Sequence, residues 1–404
     1  MFDQALEGVK VLDLTRYIAG PFCTKLMADY GADVIKVERP DGGDPARRLG
    51  PFFEDDPHHE KSGLFLQLNT NKRSVTLNLK VASGRFILHE LVKEADILVE
   101  NYAPGVMDAW GLGYDALAEI NPRLVMTSIS NFGQTGPYRD YKASELVLFG
   151  MGGEMHSIGM EGREPLKQGG NVAQYEAGAT AAAATMGALW AADRDGEGQR
   201  LDISILETQL GGVDRRHAAL MAYAYSGRIS VQQAGWVGPA FASGTLPCKD
   251  GYIEMAGGGH LFPRVIKMLG SPEFLQDPKW LQPGAGADPE LQEELNEFFI
   301  PWLMDRTKRE IWAEGQNARV LCGPLYSMSD LLGDPQFVGR GFWTRLDHPH
   351  TGPVSYPGAP TRMSETPRQM RRPAPELGQH VEEVYGHLGY SRDDLARLRE
   401  RGVI

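Results

Sequence analysis

The chain has 404 residues, 42% of them hydrophobic and 23% charged, enough for two globular domains or one large domain with an insertion. A formal net charge of -12 argues against nonspecific nucleic-acid binding, so an anionic ligand needs a local basic pocket. The cysteines, Cys23, Cys248 and Cys322, are widely spaced and form no CxxC pattern, which argues against a disulfide framework or zinc knuckle and leaves buried free thiols.

In chain order, the sequence enters a short apolar strand at Val9-Lys10-Val11-Leu12-Asp13-Leu14. No basic region or long apolar stretch of a signal peptide precedes it, and a cytoplasmic location is expected. Ala19-Gly20-Pro21 then opens a helix through Leu26, Met27 and Tyr30, because proline suits a first helical turn, and Gly31 ends it. Val34-Ile35-Lys36-Val37-Glu38 is the next strand, so the unit is βαβ and the sheet parallel. No GxGxxG follows the first strand, which argues against a nicotinamide or flavin site. His58, His59 and Glu60, beside Asp55, Asp56 and Pro57, read as a solvated loop rather than a metal site.

Further strands are expected at Ser74 to Leu79, Ile97 to Val99 and Leu124 to Ile129, with a helix from Ala82 to Ala95. Residues Val172 to Ala192 form an alanine-dense helix, followed at once by Asp193, Arg194 and Asp195, which favours close packing inside the protein over a membrane span. From about Trp236 to Leu325 the character changes: strands flank Asp250-Gly251, Gly257-Gly258-Gly259 follows, and helices surround Phe262 to Leu269 and Pro289 to Met304. Glu365 to Gly378, rich in proline and arginine, reads as a surface crossing. Helices from Val381 to Leu388 and from Asp393 close the sequence. The expected organisation is a large Rossmann-like α/β domain over 1–225, a smaller α+β domain over 226–329, and a return crossing with C-terminal helices over 330–404 that completes the first.

Ordered motifs run through nearly all of this chain. They include Leu12-Asp13-Leu14-Thr15 with Ala19-Gly20-Pro21, Gly31 to Glu38, Asn71-Lys72-Arg73-Ser74, Ala95 to Tyr102, Pro104 to Met107, Phe132 to Tyr138, Gly198-Gln199, Asp250-Gly251-Tyr252, Gly323-Pro324-Leu325 and Leu377 to His380. Together they resemble the class III CoA-transferase family (CaiB/BaiF type), which also contains α-methylacyl-CoA racemases. The resemblance implies two chains interlocked like linked rings, with coenzyme A as substrate and no metal. It also implies an aspartate that attacks the acyl-CoA thioester, giving a mixed anhydride and then an enzyme-CoA thioester.

The same resemblance places that aspartate a few residues before the glycine that opens the alanine-rich helix. Here the stretch reads Gly169-Gly170-Asn171-Val172-Ala173-Gln174-Tyr175-Glu176-Ala177-Gly178, with Gln174 at the aspartate's position. A neutral amide is no useful nucleophile toward a thioester. Glu176 is a weak substitute, because two helical residues turn its side chain about 200° away. Ala109 stands where a cation for CoA is expected, and Ser144, before Glu145, where a tyrosine or histidine is expected. The resemblance gives racemases a histidine at the Ser144 position paired with the aspartate at the Gln174 position; both are absent here, so racemisation is disfavoured. Arg39, Asn101 and Lys142 match positions that contact CoA in the family; each has an ordinary alternative, as surface cations or a turn cap.

Three readings follow. The first is the aspartate-lacking subunit of a heteromeric transferase, such as the one acting on succinyl-CoA and (R)-benzylsuccinate, paired with an aspartate-bearing paralogue as a heterodimer or heterotetramer. The second is a homodimeric transferase with a variant site, and the third a non-enzymatic CoA-binding protein. The Gly257 to Gly259 run is a candidate lid, although it follows its strand rather than preceding it.

Overall fold

Strands buried on both faces carry apolar residues at odd and even positions alike, and the central strands here do so. The computed structural model describes residues 3–159, 162–211, 214–229 and 240–404, without the side chains of 211–217; the expected start of the smaller domain near Trp236 lies outside them. Six strands, β1 (Lys10–Asp13), β2 (Asp33–Glu38), β3 (Arg73–Thr76), β4 (Ile97–Glu100), β5 (Val125–Ser130) and β6 (Arg200–Ser204), form one parallel sheet in the order β3-β2-β1-β4-β5-β6. The chain builds outward from β1 in one direction and then returns to lay β4 on its other side. The strand order therefore reverses between β1 and β4, and α/β sheets bind ligands in the crevice at the carboxyl ends of such strands.

Alternation sorts the side chains between two cores. Leu12, Leu98 and Met126 face a core with Ile87, Leu88, Leu91 and Val92 of the Ala82–Val92 helix and with Val381, Val384 and Tyr385 of the Val381–His387 helix. Val11, Ile97 and Val125 face the other, built from Cys23 and Met27 of the Ala19–Asp29 helix and the alanines of the Val172–Asp195 helix. Those two helices touch closely, since a Cβ at Gly178 would lie 2.5 Å from the Ala19 carbonyl oxygen. Gly178→Ala is accordingly expected to destabilise the fold by about 1–3 kcal/mol through overpacking, despite alanine's better helix propensity, and a thermal melt would show it.

Two compact units divide the chain. The first, Met1–His156, Lys167–Ser230 and Gly341–Ile404, holds the parallel sheet. The second, Ser157–Leu166 and Val231–Arg340, holds the antiparallel strands β7 (Ser243–Cys248), β8 (Gly251–Ala256) and β9 (Leu321–Pro324) with helices Phe262–Met268, Pro289–Met304 and Lys308–Ala318. Its glycine run is fixed at its base: the amides of Gly257 and Gly258 donate to Ser243 Oγ at 3.2 and 3.1 Å. A Cβ at Gly257 would meet Val265 at 2.6 Å. Only Gly259, at φ 57°, is left with open space around it. Back in the first unit, the hairpin β10 (Trp343–His348) and β11 (Gly352–Pro357) leads into the return segment.

Two expectations need correction. The stretch from Glu365 to Gly378 has no regular structure and keeps Glu365, Pro367, Gln369 and Arg371 exposed, as a surface crossing would, yet it is also anchored into the first unit. Arg368 pairs with the buried Asp29, Ala374 is buried, and Asn71 binds the backbone of Gln369, Arg371 and Arg372. The loop at His58 is not simply solvated either. His58 stacks on His59 and His350, and Glu60 is buried against Arg47, its oxygen 2.5 Å from the guanidinium. Polar composition suggested exposure in both places; charge pairing is what allows burial. Cys23 and Cys248 are buried, and Cys322 is half-buried. No helix among the described residues is long and apolar enough to cross a membrane.

Candidate active site

The residues that bear on function gather where the sheet's strands end. Beneath them lies a buried ionic cluster. Asp13, at the end of β1, accepts from Lys72 Nζ at 2.9 Å, Thr24 Oγ1 at 2.7 Å and Thr15 Oγ1 at 2.5 Å. Lys36 of β2 pairs with Asp44 at 2.9 Å and donates to the Thr15 carbonyl at the same distance. Glu38 takes two bonds from Arg47, at 2.8 and 2.9 Å, and one from Ser74 Oγ at 2.7 Å.

Burial alone would raise the Asp13 carboxyl, but Lys36, Lys72 and the Thr15 hydroxyl outweigh it and hold the group well below the usual carboxylate range. Burial and the neighbouring Lys36 push Lys72 down to about 8, against the pull of Asp13. Cys23, walled in beside Asp13, is driven far upward, mainly by burial, and is no nucleophile at neutral pH.

The cluster supports the turn after β1. Asn101, just past β4, accepts the Arg16 amide proton at 2.9 Å and donates to the Arg16 carbonyl at 2.8 Å. Tyr17 is held at φ 68°, its amide donating to Asp44 Oδ1 at 3.1 Å. Tyr102 packs edge-on against Trp110 at 5.2 Å. Asn101 thus spends its amide on a backbone turn, as a turn cap would. Arg39 follows β2 half-exposed, 3.8 Å from Asp41, with a buried Nε that finds no acceptor among the described residues. Lys142 is exposed in the loop before the Glu145–Met151 helix.

Gln174 lies in the first turn of the Val172–Asp195 helix and is half-buried. Glu145 caps that helix from outside: its carboxylate accepts the amides of Ala173 at 3.0 Å and Gln174 at 3.2 Å, with Lys167 Nζ 3.6 Å away. A carboxylate suits this position because the amides there are free and the helix dipole is positive. Glu176 is engaged elsewhere, receiving Gln209 Nε2 at 3.0 Å. The structure therefore brings Glu145 to Gln174 but turns Glu176 toward another helix.

Ala109 is exposed at the end of the short Val106–Ala109 turn and Ser144 is exposed before Glu145. A cation nevertheless reaches this edge from a loop that the motif reading passed over. Arg139, following β5, comes within 3.2 Å of where a Gly105 Cβ would be. Arg16 was also passed over, although it directly follows the Leu12-to-Thr15 motif and sits at the strand-order reversal.

A model of CoA-transferase family III matches residues 6–381. The chain belongs to CoA-transferase family III. Across 99% of its length it is 33% identical to the succinyl-CoA–D-citramalate CoA-transferase of Chloroflexus aurantiacus, covering 98% of that relative. It is likewise 33% identical, over 99% of its length and 98% of the relative, to the succinyl-CoA:(R)-benzylsuccinate CoA-transferase subunit BbsE of Thauera aromatica. A CAIB/BAIF family protein from Brucella suis has a crystal structure similar to this one, with a TM-score of 0.82 and 30% identity over 96% of this chain and all of that one. For a family III chain, CoA thioesters are the substrates to accommodate. Among the described residues no group of histidines, cysteines and carboxylates is arranged to hold a metal ion.

Proposed function

We propose that this chain is the aspartate-lacking, non-catalytic subunit of a class III CoA-transferase. Its partner is an aspartate-bearing paralogue, interlocked with it, and the complex moves CoA from an acyl-CoA to a carboxylic acid. The observation that carries the reading is Gln174, with no aspartate anywhere between Gly169 and Gly178. An amide at that place forms no anhydride, and the neighbouring carboxylates are committed, Glu145 to the helix amides and Glu176 to Gln209. The relative named as a subunit supports a two-chain arrangement, and succinyl-CoA, named for both curated relatives above, is the first donor to try. Benzylsuccinate is one candidate acceptor among carboxylic acids.

The test is the native mass of the complex from its own organism, with peptide identification of each chain and a CoA-transfer assay. An active heteromer containing an aspartate-bearing relative is the expected result. A homomer that transfers CoA would overturn the subunit reading and return attention to Glu145, Glu176 and the Gly257 to Gly259 run.

A further inference from the structure

The turn after β1 is gripped on every side. Asp13 holds Thr15 through its amide at 2.9 Å and its hydroxyl, Lys36 holds the Thr15 carbonyl, Asn101 holds both backbone groups of Arg16, and Asp44 holds Tyr17. A non-glycine residue kept at φ 68° by so many contacts is backbone strain that the surroundings over-determine, a condition that clusters at ligand sites.

What this turn presents is Arg16. Its guanidinium carbon lies 4.8 Å from the centre of the Tyr102 ring, so the fork is stacked on a platform that Trp110 braces from the side. The Arg16 Nε is shut off from solvent and has no acceptor, and no carboxylate among the described residues pairs with the side chain. Arg47, buried in the same unit, shows the ordinary arrangement, with Glu38 and Glu60 both bonded to it. Arg16 has the positioning without the partner. It also spans the crevice between the ends of β1 and β4, where the strand order reverses.

We propose that Arg16 is an anion anchor, whose guanidinium receives a carboxylate or phosphate group of the substrate in two parallel hydrogen bonds. A planar fork fixed on an aromatic face suits paired oxyanion oxygens, which a lysine ammonium meets only as a point charge. The inference rests on the transferase reading for the identity of its ligand: the carboxylate belongs to the acid and the phosphate to the coenzyme.

Calorimetric titration of the purified protein, together with any chain that co-purifies, separates the outcomes. The probes are succinate, inorganic pyrophosphate and CoA. Arg16→Gln is expected to weaken one class by about ten-fold or more, and Arg16→Lys to recover only part of it. Loss confined to succinate assigns the carboxylate; joint loss of pyrophosphate and CoA assigns the phosphate. Because Arg16 has no ion pair among the described residues, both variants should melt within about 2 °C of the parent. A melting point lower by about 5 °C or more would mark a structural cation and overturn the anchor. So would unchanged binding of all three probes in Arg16→Gln, or no binding of any probe by the parent. Arg16-dependent binding of succinate or pyrophosphate without CoA binding would keep the anchor and sink the transferase reading instead.

Discussion

Gln174→Asp is expected to leave CoA transfer at background, below about a thousandth of the rate of an aspartate-bearing relative, because groups that act as a unit return little when one alone is restored. The new carboxylate would stand in the first turn of the Val172–Asp195 helix, where Glu145 already takes the amide protons of Ala173 and Gln174. It would gain no donor from those amides and would meet a like charge, which raises a carboxyl pKa and disfavours the ionised nucleophile. Ala109 and Ser144 would still supply neither the cation nor the ring that the family resemblance places there. Single-turnover assay with succinyl-CoA and a panel of dicarboxylic acids checks this. Transfer restored by the one substitution would mean that Arg139, Arg39 and the rest of the edge already form a competent site.

Asp13→Asn should be strongly destabilising, costing about 3–5 kcal/mol, because it leaves Lys72 and Lys36 as buried cations short of a counter-charge. Leu→Ala changes in the same cores would cost a comparable amount by leaving cavities, but without the pH signature that Asp13 carries. The Asp13 carboxyl has a lower pKa in the folded chain than in the unfolded one. Its contribution is therefore complete above the unfolded value of about 3.9 and is lost as pH falls below it. Glu38, lowered by Arg47 against the effect of burial, acts in the same direction. Lys72 acts in a higher window but with the same slope: its folded pKa of about 8 also lies below its unfolded value, so its burial penalty is relieved and stability gains as pH rises above 8. Melts of parent and Asp13→Asn from pH 2 to 7 should differ by a constant amount above about pH 4 and draw together progressively below it, because the folded carboxyl is held well under its unfolded pKa. A constant difference across that range would show that Asp13 acts by packing alone.

Periodicity made the sheet legible. Val34 to Glu38, the helix opened by Pro21 and the Pro289–Met304 helix are where the pattern of apolar residues and caps put them. The buried charges were illegible for a physical reason. Lys36, Lys72 and Arg47 are residue types found on surfaces, and periodicity does not reveal that Asp13, Asp44, Glu38 and Glu60 are brought from other elements to neutralise them. The same holds at the site. Motif spacing singled out Gln174, Asn101, Arg39 and Lys142. Arg16 and Arg139 emerged only once loops after β1 and β5 were brought to one edge. The role of Asn101 in gripping the Arg16 turn needed the pairing of β1 with β4, a contact between residues more than eighty positions apart.

The packed return segment has a consequence for biogenesis. Arg47 is completed by the Pro375 carbonyl, Asp29 by Arg368, Asn71 by the backbone around Arg371, and the Asn78 amide by the Val403 carbonyl at 2.7 Å. The ribosome makes those partners some three hundred residues after the groups they satisfy, and the whole second unit is synthesised in between. A nascent chain that has emerged only as far as β6 therefore carries a sheet whose ionic cluster is still open to water on one side. Closure of the first unit must therefore wait for the return segment, and a premature stop upstream of Arg368 should release a chain that chaperones and proteases recognise as unfinished.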